Sequence, residues 1–505
     1  MKTPLKQSGS RSAPVPGRCG DTMAWCVGFT LAHDLDDPNL QRPGTGALRS
    51  KAASVLIGVL WCVALLAVVV ISVLHTARMD LMVAKNYGDR IQARYLALAG
   101  VEKAKALLYQ NAKERSRSGR NHTGELYDAP DQFRDVTLGR GVFRVMRRAR
   151  QDEGGGIVYG VSDEESRLNL NQADGAALAK LEGITPQIIA AINDWRDGDN
   201  NASPGGAEAE FYLSLQPPRL PRNGQFLTVR ELLMVRGVSP DLLLGRDTQQ
   251  NGLLESAEDD AENSSQADHR ASDVDTGWAG ILTVDSRNDN VSASGADRVN
   301  VQTADETALA GVAGLSPDIA RAITAYRGQN QIRNIASLLD VTRPQNNQNQ
   351  NPSRGGARGG QRQPAPDQSS GGSGQKVISA GLLMDIADDI TADEGASKPG
   401  LINVNTASLS VLLCLPGVDR ELAQAIISYR SSSGFLPNIA WLLKVPGMNE
   451  EVFKQVAPLV TTRSETFRIL SEGRVNSTGA RQRIQAIVHV GLNSATTLSY
   501  REDDL

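Results

Sequence analysis
Few aromatic side chains are available to this chain: Phe, Tyr and Trp together make 4% of its 505 residues. Long polar stretches dilute the remaining apolar content, so part of the sequence is linker rather than core. Histidine occurs five times, and no Ser/His/Asp set, HExxH or GxxxxGK pattern is present. Hydrolase and phosphate-loop chemistry therefore have no visible foothold, and an enzyme is not expected. An excess of charge of one sign is also missing, with 53 Lys and Arg against 57 Asp and Glu. A protein built to neutralise a phosphate backbone needs a basic face, so nucleic acid is not the expected partner. The four cysteines are Cys19, Cys26, Cys62 and Cys414. They show neither metal-ligand spacing nor a disulfide framework, although Cys19 and Cys26 are near enough in sequence to pair.

What is present begins with an uncharged run over 52–74, AASVLIGVLWCVALLAVVVISVL. At 1.5 Å per helical residue it covers roughly the 30 Å hydrocarbon core of a bilayer. A buried helix of a globular core seldom runs this long without a charge. A secretory signal peptide has a shorter apolar region followed by a small-residue cleavage site. Here His75, Arg78, Asp80 and Lys85 follow, and helical residues continue to about Gln110. The segment is expected to be retained. Arg42, Arg49 and Lys51 flank it on the N-terminal side, which places the N-terminus in the cytoplasm and the rest of the chain outside it. Leu74, Ala77, Leu81 and Ala84, then Tyr95, Leu98, Val101 and Leu108, continue an apolar stripe at helical spacing. Alternation over 139–149, 155–171, 465–475 and 481–491 predicts strands.

The body of the chain repeats itself. Three segments open alike, as Leu168-Asn-Leu-Asn, Val299-Asn-Val-Gln and Ile402-Asn-Val-Asn. Each is followed at the same interval by a matching phrase: AINDWR from Ala191, AITAYR from Ala322 and AIISYR from Ala425. Equal spacing in three copies marks one duplicated unit. Between the anchors each copy predicts a helix, a Gly-containing turn (181–186, 313–318, 415–420) and a second helix capped by the Thr, Ser or Asp after the glycine. The pattern resembles the helix-hairpin-helix unit. A third helix is expected over 227–238, 335–341 and 439–448. Copy one alone carries an insertion, 197–225, which concentrates Asp197, Asp199, Asn201, Glu208 and Glu210. Residues 255–273 are an acidic polar linker, and 342–376 a low-complexity one.

The stretch ARYLALAGVEKAKALL over 93–108, the Val59-Leu60-Trp61 triplet, and the string DWRDGDN…GAEAEFY…PRNGQFLTVRELLMVRG around the insertion closely resemble the general secretion pathway protein K family. These are the K-type minor pseudopilins of type II secretion. The resemblance implies an α+β fold: a pilin-like long N-terminal transmembrane helix with a small antiparallel sheet, plus a large α-helical domain of helix-hairpin-helix-like repeats. The expected division is a leader over 1–53, the pilin-like helix over 54–110, and strands over 111–167. Repeat one follows over 168–246, a loop and linker over 247–276, and a strand with repeat two over 277–341. The low-complexity linker covers 342–376, repeat three 377–463, and strands with a tail 464–505. A prepilin peptidase would cut after Ala53, making Ser54 the first mature residue, with Gly58 as the alternative. Typical pilins have Gly before the cut and Glu at the fifth mature position; here those places hold Ala53 and Gly58. K-type members lack that Glu, which suits a subunit with none above it. The implied function is capping the tip of a periplasmic pseudopilus. Its partners would be the I- and J-type minor pseudopilins, other secretion-system subunits and the inner membrane.

Calcium is the expected cofactor. It takes six to eight hard oxygen ligands from flexible loops, and the insertion offers Asp197, Asp199, Asn201 and Glu208, with Asn223 at its far end. The resemblance carries a calcium site onto Asp197, Asp199 and Glu208. A second candidate is an EF-hand-like loop with Asp247, Asn251, Glu255 and Glu258 at positions 1, 5, 9 and 12, Gly252 at the turn, and Gln249 as a weak third ligand. The competing function is a membrane-anchored helix-hairpin-helix receptor for DNA uptake. Against it, Arg420, Arg430, Lys444, Lys454 and Arg463 of repeat three are nearly matched by Asp419, Glu421, Glu450 and Glu451.

Overall fold
The computed structural model of the protein describes residues 51–121, 124–150, 153–247, 276–343 and 375–502. The expected leader up to residue 50, the whole of the first linker and most of the second lie outside these residues. Helix α1, Lys51–Ser118, runs further than the stripe indicated, with Arg115 and Arg117 in its last turn. Cations there suit the negative end of the helix dipole. Gly119 then leaves the helix at a φ of 64°, with its N–H donated to Arg115 O.

The chain divides into two compact units, 1–76 and 77–505. In the first, the side chains of Val55 to Leu74 are exposed along the uncharged run. This part of α1 is long and apolar enough to cross a membrane. In the second, α1 buries Ala93, Ala97, Val101, Ala104 and Leu108.

That stripe covers a seven-stranded antiparallel sheet. Its strands are β1 Val136–Leu138, β2 Gly141–Arg148, β3 Ile157–Val158, β4 Ser162–Asp163, β5 Thr466–Val475, β6 Arg481–Val490 and β7 Ala495–Arg501. The order is β1-β2-β5-β6-β7, with β3 extending from β2 and β4 from β5. Val145, Ile469, Ile484, Ala486 and Val488 face α1. A Cβ at Gly473 would collide with Ala93 O and Ala97 N, so the glycine permits the close approach of helix and sheet. The two expected C-terminal strands are joined by a third, β7. They form one sheet with the early strands, Leu470 of β5 lying opposite Met146 of β2. The repeat body is therefore an insertion within this sheet.

Each repeat is closed by a short parallel pairing. Leu168–Asn169 pairs with Leu282–Thr283, Val299–Asn300 with Ile390–Thr391, and Ile402–Asn403 with Val460–Thr461. Two boundaries move accordingly. The segment over 277–289, read as leading into copy two, contributes the strand that closes copy one. The helix Ala380–Ile386, read with copy three, precedes the strand that closes copy two. Alternation predicts that a strand exists but not what it pairs with, and a parallel partner lies a whole crossover away.

Inside each repeat the duplicated residues do the same work. Thr185, Ser316 and Asp419 cap the second helices, Pro186–Arg196, Pro317–Arg327 and Arg420–Ser433. The arginine ending each anchor phrase donates to backbone carbonyls at the start of its own copy. Arg196 reaches Leu170 O, Arg327 reaches Val301 O and Ala304 O, and Arg430 reaches Val404 O and Ala407 O. Asn171, Gln302 and Asn405 accept the N–H of Phe226, Ile332 and Leu436, ahead of the third element. Those third elements, Val229–Met234, Ile335–Asp340 and Ile439–Lys444, are the expected third helices, in 3-10 geometry. The three copies share one continuous hydrophobic core.

Acidic residues join the sheet to the repeats. Asp163 accepts from Asn403 Nδ2, Ser464 Oγ and Thr406 Oγ1. Glu164 takes both Arg468 Nε and Nη2. Glu165 accepts from Asn288 Nδ2 and Glu465 N. Burial, then the neighbouring Asp163 and Glu465, push the Glu165 carboxyl well above the usual range.

Candidate metal site
The insertion of copy one starts where helix Pro186–Arg196 ends, with Asp197 as its C-cap residue. Trp195, Tyr212 and Phe226 anchor it. Tyr212 meets Trp195 edge-on at 5.1 Å, and Phe226 stacks on it at 6.4 Å. Between these anchors the backbone turns on its own acids. Asp197 Oδ1 accepts from Asp199 N at 3.3 Å, and Asp199 Oδ1 from Asn201 N at 2.7 Å.

Oxygens of Asp194, Asp197 and Glu208 lie within 4.8 Å of one another. Asp194 is fully buried and Glu208 is 3% exposed. Asp194 accepts the Ser203 N–H at 3.1 Å and fills the space where a Cβ at Gly206 would sit. Arg236 holds the Gly206 carbonyl at 2.9 Å. Among the described residues, neither Glu208 oxygen has a hydrogen-bond donor, nor has the buried Asn223 Oδ1. Asn223 adopts a φ of 49°, and its Nδ2 donates to Asp199 O and to Asn200 Oδ1. Burial first, then repulsion from Asp197, Asp194 and Asp199, raises the Glu208 carboxyl above its usual range.

Buried oxygens with lone pairs and no donor, beside three other carboxylates, are costly unless a proton or a cation offsets them. All the donors are hard oxygens, with no His or Cys in the cluster, which suits calcium rather than zinc or copper. The arrangement fits the expected ion. Of the residues expected from sequence, Asp197 and Glu208 converge, Asp199 is close enough to act on Glu208, and Asn223 meets the loop through its amide nitrogen, on Asp199 O. Asn201 is exposed and joins through its backbone N–H.

Asp194 is the residue that sequence reasoning missed. It lies inside the anchor phrase AINDWR, where copies two and three have Ala325 and Ser428. An acid that appears only in the copy bearing the insertion was the available signal. The EF-hand-like loop is described only at Asp247, which is buried; Asn251, Glu255 and Glu258 lie outside the described residues. Ala53 and Ser54 fall within α1, their side chains outside the description.

A second acidic group, Asp289, Glu465 and His489, also converges. Glu465 there already accepts from Asp289 N at 2.6 Å and from Arg115 Nη2 at 3.2 Å. The arginine disfavours a metal at that place.

Comparison with known proteins agrees with the sequence resemblance. Residues 162–245 match the family "Type II secretion system (T2SS), protein K". Residues 294–346 and 397–461 match the helix-hairpin-helix motif. "Type II secretion system protein K" of Pectobacterium carotovorum is 24% identical over 200 residues, 38% of this chain and 60% of that protein. "ComE operon protein 1" of Bacillus subtilis is 36% identical over 66 residues, 13% of this chain and 32% of that protein. The chain thus spans under two thirds of either relative. The solved GspK-GspI-GspJ complex of enterotoxigenic Escherichia coli aligns over 82% of this chain and 97% of the matched chain, at 12% identity and a TM-score of 0.39.

Proposed function
We propose that this chain, a K-type pseudopilin by its protein K region, caps the tip of a type II secretion pseudopilus and supports protein export across the outer membrane. The observation carrying this reading is the placement of that region. Residues 162–245 begin on strand β4 of the pilin-like sheet and continue through copy one with its acidic insertion. In this reading the body of three repeats inserted into the sheet is what stops a further subunit adding above it. Helix α1 is suited to storage in the inner membrane, with the sheet and repeats in the periplasm. The I- and J-type minor pseudopilins are the expected neighbours, and prepilin peptidase is expected to release Ser54 as the mature N-terminus.

Calcium is proposed at Asp194, Asp197 and Glu208, with Asp199 and Asn223 completing the oxygen set. When bound, the ion supplies positive charge that offsets the carboxylates and fixes the insertion. The residues themselves orient the loop: Asp194 ties Ser203 to the helix, and Asn223 ties the loop's far end to Asp199. Deleting the gene tests the function. Export substrates should accumulate in the periplasm and return to the medium with the wild-type gene, whereas undiminished export would overturn it.

A second reading, a DNA receptor, is favoured by the helix-hairpin-helix match and the Bacillus relative. The repeat arginines speak against it, because Arg196, Arg327 and Arg430 are spent on backbone carbonyls. Asp318, Asp419 and Glu421 also sit beside the hairpin turns.

A further inference from the structure
The chain leaves the sheet for copy one through three consecutive acids, Asp163, Glu164 and Glu165, and returns to it from copy three at Glu465. All four are buried, at 4%, 0%, 0% and 1% exposure. Their donors differ. Asp163 Oδ1 accepts from Glu165 N at 2.8 Å, and its Oδ2 takes Asn403, Thr406 and Ser464. Glu164 holds the Arg468 fork, at 2.9 and 2.6 Å, and Thr283 Oγ1 at 2.6 Å. Glu465 accepts from Asp289 N at 2.6 Å and from Arg115 Nη2 at 3.2 Å. Glu165 has far less. The single Glu465 N–H is divided between its Oε1 at 3.2 Å and its Oε2 at 3.3 Å. Asn288 Nδ2 reaches Oε2 at 3.3 Å. Among the described residues, no cation pairs with Glu165.

The charged groups that face Glu165 have its own sign. Asp163 acts on it from its own segment and Glu465 from the lead into β5. Tyr127 faces it from the 3-10 turn Glu125–Tyr127. Burial, then Asp163, holds that phenol well above its ordinary value, so Tyr127 stays neutral. Strand Arg287–Asp289 presents the uncharged Asn288, and copy three presents Asn403, whose N–H donates to Glu165 O at 2.8 Å. The nearby cations are turned elsewhere: Arg115 and Arg463 to Glu465, and His489 to Asp289. Ionising Glu165 would therefore add a negative charge to a dry junction that has no counter-ion for it. Burial raises the Asp163 carboxyl too, but its hydrogen bonds pull it back. Donors on both Asp163 oxygens leave the proton better placed on Glu165. The Glu465 N–H lies between the two Glu165 oxygens, so one can accept it while the other carries the proton.

We propose that Glu165 is a proton-operated latch: as a neutral acid it lets the sheet and the repeats close on each other, and as a carboxylate it loosens them. The latch is separate from the acids of copy one and does not depend on the pseudopilus reading. The carboxyl titrates higher in the folded protein than its unfolded value of about 4.3. Its contribution to closure is fully present below the unfolded value and is lost as pH rises through the folded one. Hydrogen exchange at the Asn403 and Glu465 amides, in the full chain in detergent and corrected for intrinsic exchange, reads the opening of the junction. Between the two values the wild-type opening constant should rise about tenfold per pH unit, since one proton is lost on opening. Glu165→Gln, a neutral isostere, should lack that rise. Infrared spectra supply a second measurement that needs no variant to fold: in wild type a carboxylic-acid C=O band should persist at neutral pH and vanish over the range in which exchange levels off. The same pH dependence of exchange in both proteins, or no acid band in wild type at neutral pH, would overturn the proposal.

Discussion
Replacing Glu208 by glutamine separates repulsion from ligation at the insertion. The change is nearly isosteric and removes one negative charge from a cluster whose oxygens lie within 4.8 Å. Two unit charges at that distance repel by about 3 kcal/mol at an effective dielectric of ~20. Solvent near Asp197 reduces this, so Glu208→Gln should stabilise the calcium-free protein by about 1–2 kcal/mol. Calcium reverses the order. A weak extracellular-type site has a Kd of about 10⁻⁴ M. At a hundredfold excess the ion stabilises wild type by about 2.7 kcal/mol, and a tenfold weaker site leaves about 1.4 kcal/mol at the same concentration. These figures correspond to a wild-type Tm rise of about 3 °C and roughly half that in the variant. The assay is thermal unfolding of the full chain in detergent, with EDTA and then with calcium, for both proteins. The variant should unfold at the higher temperature in EDTA and gain less from calcium. Equal calcium gains, or a variant less stable than wild type in EDTA, would refute the reasoning.

Other consequences follow from named contacts. Asp194→Asn should weaken calcium binding in titration calorimetry at least as much as Asp199→Asn, since Asp194 lies within the converging group. The raised Glu208 carboxyl sets a pH dependence. In the calcium-free protein its contribution to stability is fully present below the unfolded pKa of about 4.3 and is lost as pH rises through the folded value. Calcium affinity should accordingly fall as pH drops through that folded value, with proton release on binding, read from calorimetry in buffers of different ionisation enthalpy. Gly473→Ala should cost about 1–3 kcal/mol, through overpacking against Ala93 and Ala97, and lower Tm. Residues 299–463 in the intact chain should give no sub-micromolar, strongly salt-dependent DNA binding; such binding would promote the receptor reading.

The parts legible in the sequence were those written in local pattern. The uncharged run, the anchor phrases at equal spacing, and the capping residues Thr185, Ser316 and Asp419 each fix a structure within a few residues of themselves. What depended on distant partners stayed hidden. Nothing near β2 tells that it pairs with β5, and nothing near Leu282 tells that it returns to Leu168. The site divided in the same way. Asp197, Asp199, Glu208 and Asn223 were visible as polar residues in an insertion without packing reasons to hold them. Asp194 was concealed by its place in a helical phrase whose other residues are structural. The third elements were legible only as helices, because six apolar-rich residues carry too little periodicity to separate α from 3-10 geometry.

The most direct test of the account is to co-express the full chain with the I- and J-type pseudopilins of the same genome and measure the native mass of the detergent-purified assembly. The account predicts a complex containing one copy of each. Recovery of this chain alone, while the other two still pair with each other, would contradict it.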